Sequence, residues 1–158
     1  MSPSIPGRRA LRGALLGLAV ALASAGLGAP LAAQQQEEPS WEDKPYTIVD
    51  GKVDFGTYNG YRRYHSHCHV CHGPDALGSS YAPAMTESIP RIGYEGYVEA
   101  VIYGIENVSQ TQQSVMPAFG EVEDVVSYMD DIYAYLKARA DGALGRGRPE
   151  RLPKEASN

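Results

Sequence analysis

Apolar residues recur at three- and four-residue steps in only a few stretches of this chain. One run is Tyr94, Tyr97, Val98, Val101, Ile102 and Ile105, which predicts a helix over about 94–105 with a single buried face. A longer stripe of Val122, Val125, Val126, Met129, Ile132, Tyr133 and Leu136 predicts a helix over about 122–140, with Gly142 just beyond it as a stop. Glu121, Glu123 and Asp124 fall at its start, where the helix dipole favours negative charge. A further helix is expected over about 58–69. Tyr46-Thr47-Ile48-Val49 followed by Asp50-Gly51 resembles a short extended segment ending in a turn. About 73–93 and 106–120 then read as long loops, which are uncommon in a compact domain unless they serve a purpose. Wrapping a large flat group is such a purpose.

The two ends of the chain read differently. Arg8, Arg9 and Arg12 precede an apolar and small-residue run from Gly13 to Leu27, and Ala29-Pro30-Leu31-Ala32-Ala33 offers a cleavage site before Gln34-Gln35-Gln36. That order predicts a secretory signal peptide over 1–33 and a periplasmic destination. An uncleaved anchor is the competing reading, because 13–33 is just long enough to span a bilayer; its Gly, Ala and Pro content favours cleavage and no stable membrane insertion afterwards. Residues 34–57 read as a flexible lead-in, 58–140 as the domain, and the Gly-, Arg- and Pro-rich 141–158 as a mobile tail. Cleavage removes three arginines and no acid, taking the net charge from −5 to about −8. A balance that acidic argues against nucleic acid and suits a protein partner with a basic docking patch.

The chain has two cysteines, in Cys68-His69-Val70-Cys71-His72. A disulfide at this spacing would close a tiny loop and restrict the unfolded chain little. CxxCH instead has the spacing of c-type haem attachment: each thiol forms a thioether to one vinyl group, and the adjacent His72 supplies an axial nitrogen to the iron. Zinc is the alternative metal, but no Cys or His follows His72, so the usual second ligand pair is missing. A thioredoxin-like role lacks its βαβ scaffold. His65, His67 and His69 read as surface or hydrogen-bonded residues.

A second axial ligand is needed if the iron only exchanges electrons. Of four methionines, Met1 leaves with the signal and Met129 lies on a helical stripe that predicts core packing. Met85 follows His72 too closely to reach the opposite face comfortably. Met116, in Val115-Met116-Pro117-Ala118-Phe119-Gly120, is the expected ligand; its soft sulfur favours the ferrous state. The carbonyl of Pro83 is the candidate acceptor for the second ring nitrogen of His72, the alternative being a plain turn residue. If the sixth position is open instead, the chain reads as a haem enzyme or gas sensor. A haem subunit of a larger oxidoreductase complex is a third reading.

Gly60, Tyr64, the CxxCH sequence, Met116 and the pair Ile132 and Tyr135 resemble the single-haem c-type cytochromes over roughly 58–140. The resemblance implies a small all-α cytochrome c-like fold, with three or more helices and long loops around one covalent haem c. It also implies that Gly60 lies at a close crossing between the first and last helices. Val49-Asp50-Gly51-Lys52-Val53-Asp54, Tyr58 to Ser66, His72-Gly73-Pro74-Asp75, Leu77 to Pro83, Val115 to Gly120 and Asp130 through Pro149 are further similar to the methanol-metabolism-related c-type cytochromes of alcohol-oxidising bacteria. Members of that group often carry extra cysteines; none is present here, and Ser127 stands where one would be sought. That likeness implies an electron-transfer protein rather than an enzyme. The implied donor is a quinoprotein alcohol dehydrogenase, and the acceptor a terminal oxidase or another cytochrome.

Overall fold

A computed structural model describes residues 40–108 and 113–153, so the expected signal peptide, 34–39 of the lead-in and 154–158 of the tail lie outside the described residues. In chain order the elements are a 3-10 turn at Trp41–Asp43, β1 (Ile48–Val49), β2 (Lys52–Val53), α1 (Phe55–His67), α2 (His69–His72), α3 (Met85–Tyr103), β3 (Ile105–Val108), β4 (Gln113–Met116), α4 (Glu123–Val126), α5 (Met129–Ala140) and β5 (Glu150–Arg151).

Asp50 and Gly51 both have positive φ, 50° and 77°, the backbone that a two-residue hairpin demands. They join β1 to β2 antiparallel. Asp54 then caps α1: its carboxylate accepts from Thr57 N at 2.9 Å and Thr57 Oγ1 at 2.7 Å, and from Thr47 N at 2.7 Å. One side chain thus fixes both the end of the hairpin and the start of the helix.

The core is organised by α5, which buries Met129, Ile132, Tyr133, Ala134, Tyr135, Leu136, Ala138 and Arg139, far more than one face. Such a helix must be packed from several sides. On one side α1 crosses it at Gly60, where a Cβ would stand 1.7 Å from the Asp131 carbonyl oxygen. The Tyr64 and Tyr135 rings lie 5.3 Å apart at this crossing, and Asn59 Nδ2 donates to Asp131 at 2.7 Å. On the other side α3 packs through Tyr97, whose hydroxyl donates to Met129 O at 3.2 Å, and through Tyr94 and Tyr133, 4.9 Å apart. Trp41 covers the edge of that pair, 5.4 Å from Tyr94.

The helical class expected from sequence holds, and the structure corrects its details. The second part of the expected 73–93 loop is helix: α3 begins at Met85 and kinks at Gly93, φ 66°. Its first half carries Met85, Ile89 and Ile92 on the core side, with Pro90 inside the helix. The expected 106–120 loop contains the antiparallel hairpin β3–β4, with Ile105 opposite Met116. The expected helix at 122–140 is broken at Ser127 and Tyr128. Arg63 of α1 holds that bend from both sides, paired to Asp124 at 3.0 Å and lying 4.3 Å over the Tyr128 ring.

The expected lead-in and tail are laid against the domain wherever they are described. Leu144 and Leu152 are buried, and β5 pairs parallel with β2. Arg139 binds Leu144 O at 2.6 Å. Few groups carry this docking, so the Gly- and Arg-rich composition of the segment conceals it.

Candidate cofactor site

α1 ends at Cys68, whose N–H donates to Tyr64 O at 2.8 Å, and the next short turn, α2, carries Cys71 and His72. Both thiols are free. Cys71 is exposed, while burial pushes the Cys68 thiol up to about 12, so it is protonated at neutral pH in the closed fold. The buried imidazole of His72 makes one hydrogen bond, from Nδ1 to Pro83 O at 3.0 Å. A carbonyl can only accept, so Nδ1 carries the proton and the lone pair resides on Nε2. This is the tautomer an axial nitrogen ligand needs.

Close backbone approaches deliver Pro83. Gly73 and Gly78 both have positive φ, 78° and 79°. A Cβ on Gly78 would stand 2.7 Å from Ala84 N and 3.0 Å from the Pro83 carbonyl carbon. Gly78 N donates to His72 O at 2.9 Å, and Ser79 Oγ to Cys71 O at 2.5 Å. Tyr64 closes the same loop by donating to Gly73 O at 2.5 Å.

Cys68 and His72 line a cavity together with Tyr64, Met85, Tyr97, Val101, Met116, Phe119, Val125, Ile132 and Leu136. The tyrosine hydroxyls are engaged elsewhere, on Gly73 O and Met129 O, and burial holds both phenols well above their ordinary range. What remains is an apolar interior with one imidazole lone pair, thioethers and a thiol at its edge. That donor set fits haem c: two free thiols for covalent attachment, a nitrogen ligand of fixed tautomer, and soft sulfur for the iron.

Of the methionines, Met116 and Met85 both line this cavity, whereas Met129 is buried on α5 in the core. Sequence spacing had set Met85 aside as a ligand, and nothing local signalled it as a wall residue. Of the other histidines, two are hydrogen-bonded nearby, while His69 Nδ1 is buried without a hydrogen-bond partner among the described residues. His65 Nδ1 donates to Tyr61 O at 2.8 Å, His67 Nε2 lies 2.9 Å from Asp124, and His69 stacks 5.4 Å from His65. No grouping of three or more His, Cys, Asp or Glu suited to a metal ion occurs among the described residues.

Asp75 has partners that lie far away in sequence. Gly147 N and Arg146 Nε each donate to its carboxylate at 2.8 Å, while its carbonyl accepts from Arg139 Nε and Nη2 at 3.1 and 3.0 Å. The Gly147 N–H first, then Arg146, hold the carboxyl below the usual carboxylate range. This network ties the loop after His72 to the end of α5 and to the segment beyond.

Cytochrome c-555 of Methylococcus capsulatus is 32% identical to this chain over 100 residues, covering 63% of this chain and 75% of that protein. The chain belongs to the c-type cytochromes. Cytochrome c-553I of Paracoccus denitrificans is 47% identical over 127 residues, 77% of this chain and 56% of that protein, so the cytochrome spans little more than half the length of that relative. The crystal structure of the c-type cytochrome XoxG from Methylobacterium extorquens AM1 is similar, with a TM-score of 0.60 and 48% identity over 70% of each chain. No family model matches the chain. Membership implies covalently bound haem c and redox partners, and places the cytochrome among electron-transfer proteins rather than enzymes. No helix among the described residues is long and apolar enough to cross a membrane.

Proposed function

We propose that this chain is an exported, periplasmic one-electron carrier with a single haem c, whose iron is held between His72 and Met116. The observation that carries this reading is that Met116 and His72 line one apolar cavity, with Nδ1 of His72 committed to Pro83 O. When bound, the haem supplies an iron that alternates between ferrous and ferric states. Cys68 and Cys71 attach it. His72 presents Nε2, and Pro83 fixes that tautomer. Met116 would offer the iron a soft thioether sulfur, which favours the ferrous state. The apolar walls from Val101, Phe119, Val125, Ile132 and Leu136 exclude water.

The donor we propose is a quinoprotein alcohol dehydrogenase of the methanol type, with a terminal oxidase or another cytochrome as acceptor. This rests on the sequence likeness to methanol-metabolism-related cytochromes. The net charge of about −8 for residues 34–158 favours a basic patch on the partner, meeting the edge where Cys71 and Val70 are exposed. Such contacts are small and transient.

A Met116→Ala variant tests the ligand. The open site is expected to bind carbon monoxide and to show a lower potential. Unchanged spectra and potential would sink the assignment. The donor is tested by mixing the ferric protein with purified quinoprotein alcohol dehydrogenase and its alcohol. Absence of ferrous signal at low salt counts against that partner.

A further inference from the structure

Resting on the reading of Met116 as the axial ligand, we infer that Gly104, a residue outside the cavity wall, is a positioning residue that sets where the Met116 sulfur is delivered. Gly104 ends α3 with φ +74°, a left-handed backbone that side chains other than hydrogen disfavour. A Cβ there would stand 2.5 Å from Met116 O, 2.9 Å from Ala118 N and 3.1 Å from the Pro117 carbonyl carbon. The backbone of the Met116-Pro117-Ala118 turn thus rests directly on Gly104.

Independent contacts complete a clasp. Ile105, the next residue, is opposite Met116 in the β3–β4 ladder. Beyond the turn, Phe119 N donates to Val101 O at 2.8 Å and Gly120 N to Ile102 O at 3.2 Å. A Cβ on Gly120 would meet Ile102 O at 2.9 Å. The segment carrying Met116 is therefore sewn to the last turn of α3 on both sides, and Gly104 sets its height. Since Val101 of that turn also lines the cavity, α3 fixes wall and ligand together. Any side chain at 104 must lift the Met116 carbonyl, and the sulfur moves with it.

The test compares Gly104→Ala with Gly142→Ala in the holoprotein. Gly142 also has a positive φ, +69°, but nothing lies within 4 Å of its Cβ position, so this control carries the backbone strain without the collision. The readouts are the weak near-red sulfur-to-iron absorption of the ferric state, carbon monoxide binding by the ferrous state, and thermal melting by far-ultraviolet circular dichroism. Gly104→Ala is expected to lose the absorption and admit carbon monoxide at neutral pH, while Gly142→Ala melts earlier with the absorption intact.

Retention of the absorption in folded Gly104→Ala overturns the inference, as does equal loss in both variants. Should Gly104→Ala fail to accumulate as folded holoprotein, Gly120→Ala tests the other edge of the clasp and must show the same loss. An intact absorption in Met116→Ala defeats the ligand reading itself. Its loss there, with a normal Gly104→Ala, defeats only the clasp.

Discussion

Replacing Gly60 by alanine inserts one methyl group between two backbones. Its Cβ would stand 1.7 Å from Asp131 O, 2.4 Å from the Asp131 carbonyl carbon and 2.9 Å from Ile132 N. Close carbon–oxygen contacts in proteins run to about 3.3 Å, so α1 and α5 must part locally by roughly 1.6 Å. A gap of about 0.5–1 Å already forfeits a quarter to a half of a dispersion contact. Neither partner is a flexible side-chain tip that can swing aside. The cost therefore lies at or above the upper end of the ~1–3 kcal/mol typical of overpacking, and we expect about 3–5 kcal/mol against a total on the order of 5–15 kcal/mol.

For a domain of this size the expected fall in Tm is on the order of 10–20 °C. Guanidinium and thermal unfolding of the holoprotein measure it. Gly145→Ala is the control, since nothing lies within 4 Å of its Cβ position and it has no positive φ. That change should stay within about ±1 kcal/mol. A Gly60→Ala variant as stable as Gly145→Ala would refute the claim that the two helices touch backbone to backbone.

Arg139→Met removes a buried guanidinium and strands Asp75 O and Leu144 O, at an expected cost of about 2–4 kcal/mol in urea titrations; Arg139→Lys should not restore it, because one ammonium cannot reproduce the fork. Asp75→Asn is expected to cost about 1–2 kcal/mol at pH 7. The folded-state pKa of Asp75 is depressed, so its contribution is fully present above the unfolded carboxylate value of about 4 and is lost as pH falls through the folded value. The gap between Asp75→Asn and the parent should therefore close in acid, and an equal gap at both ends argues against the charge. Reduction of the cytochrome by its donor should slow as ionic strength rises from about 0.01 to 0.15 M; a rate indifferent to salt removes acidic steering.

What could be read from the sequence is what depends on near neighbours. Asp50-Gly51 dictates its hairpin because the turn needs positive φ at both residues. The CxxCH spacing places two thiols and an imidazole within two turns of backbone. Pro83 lies eleven residues past His72, close enough for one short loop to carry it back. Two of the corrections fall where distant groups decide. The break at Tyr128 has no Gly or Pro to announce it, and Arg63 of α1 fixes it from across the fold. The docking of residues 144–152 depends on Asp75, about seventy residues away in sequence. The hairpin carrying Met116 is a local pairing of β3 with β4, hidden because its own composition is weakly strand-like.

The same distinction divides the cofactor site. The His72 side is built within a single stretch, 64–84, where Gly73, Gly78 and Tyr64 converge on one loop. The Met116 side is assembled from α3, the β3–β4 hairpin and the approach to α4, with no covalent shortcut between the sulfur and the helix that steadies it. A change in the first stretch should disturb attachment and tautomer together. A change at the second should release the thioether while leaving the Pro83 bond in place. With Met116 as the proposed ligand, the reducing power would be open to adjustment from residues outside the cavity wall, above all at the junction of Gly104 with the Met116 turn.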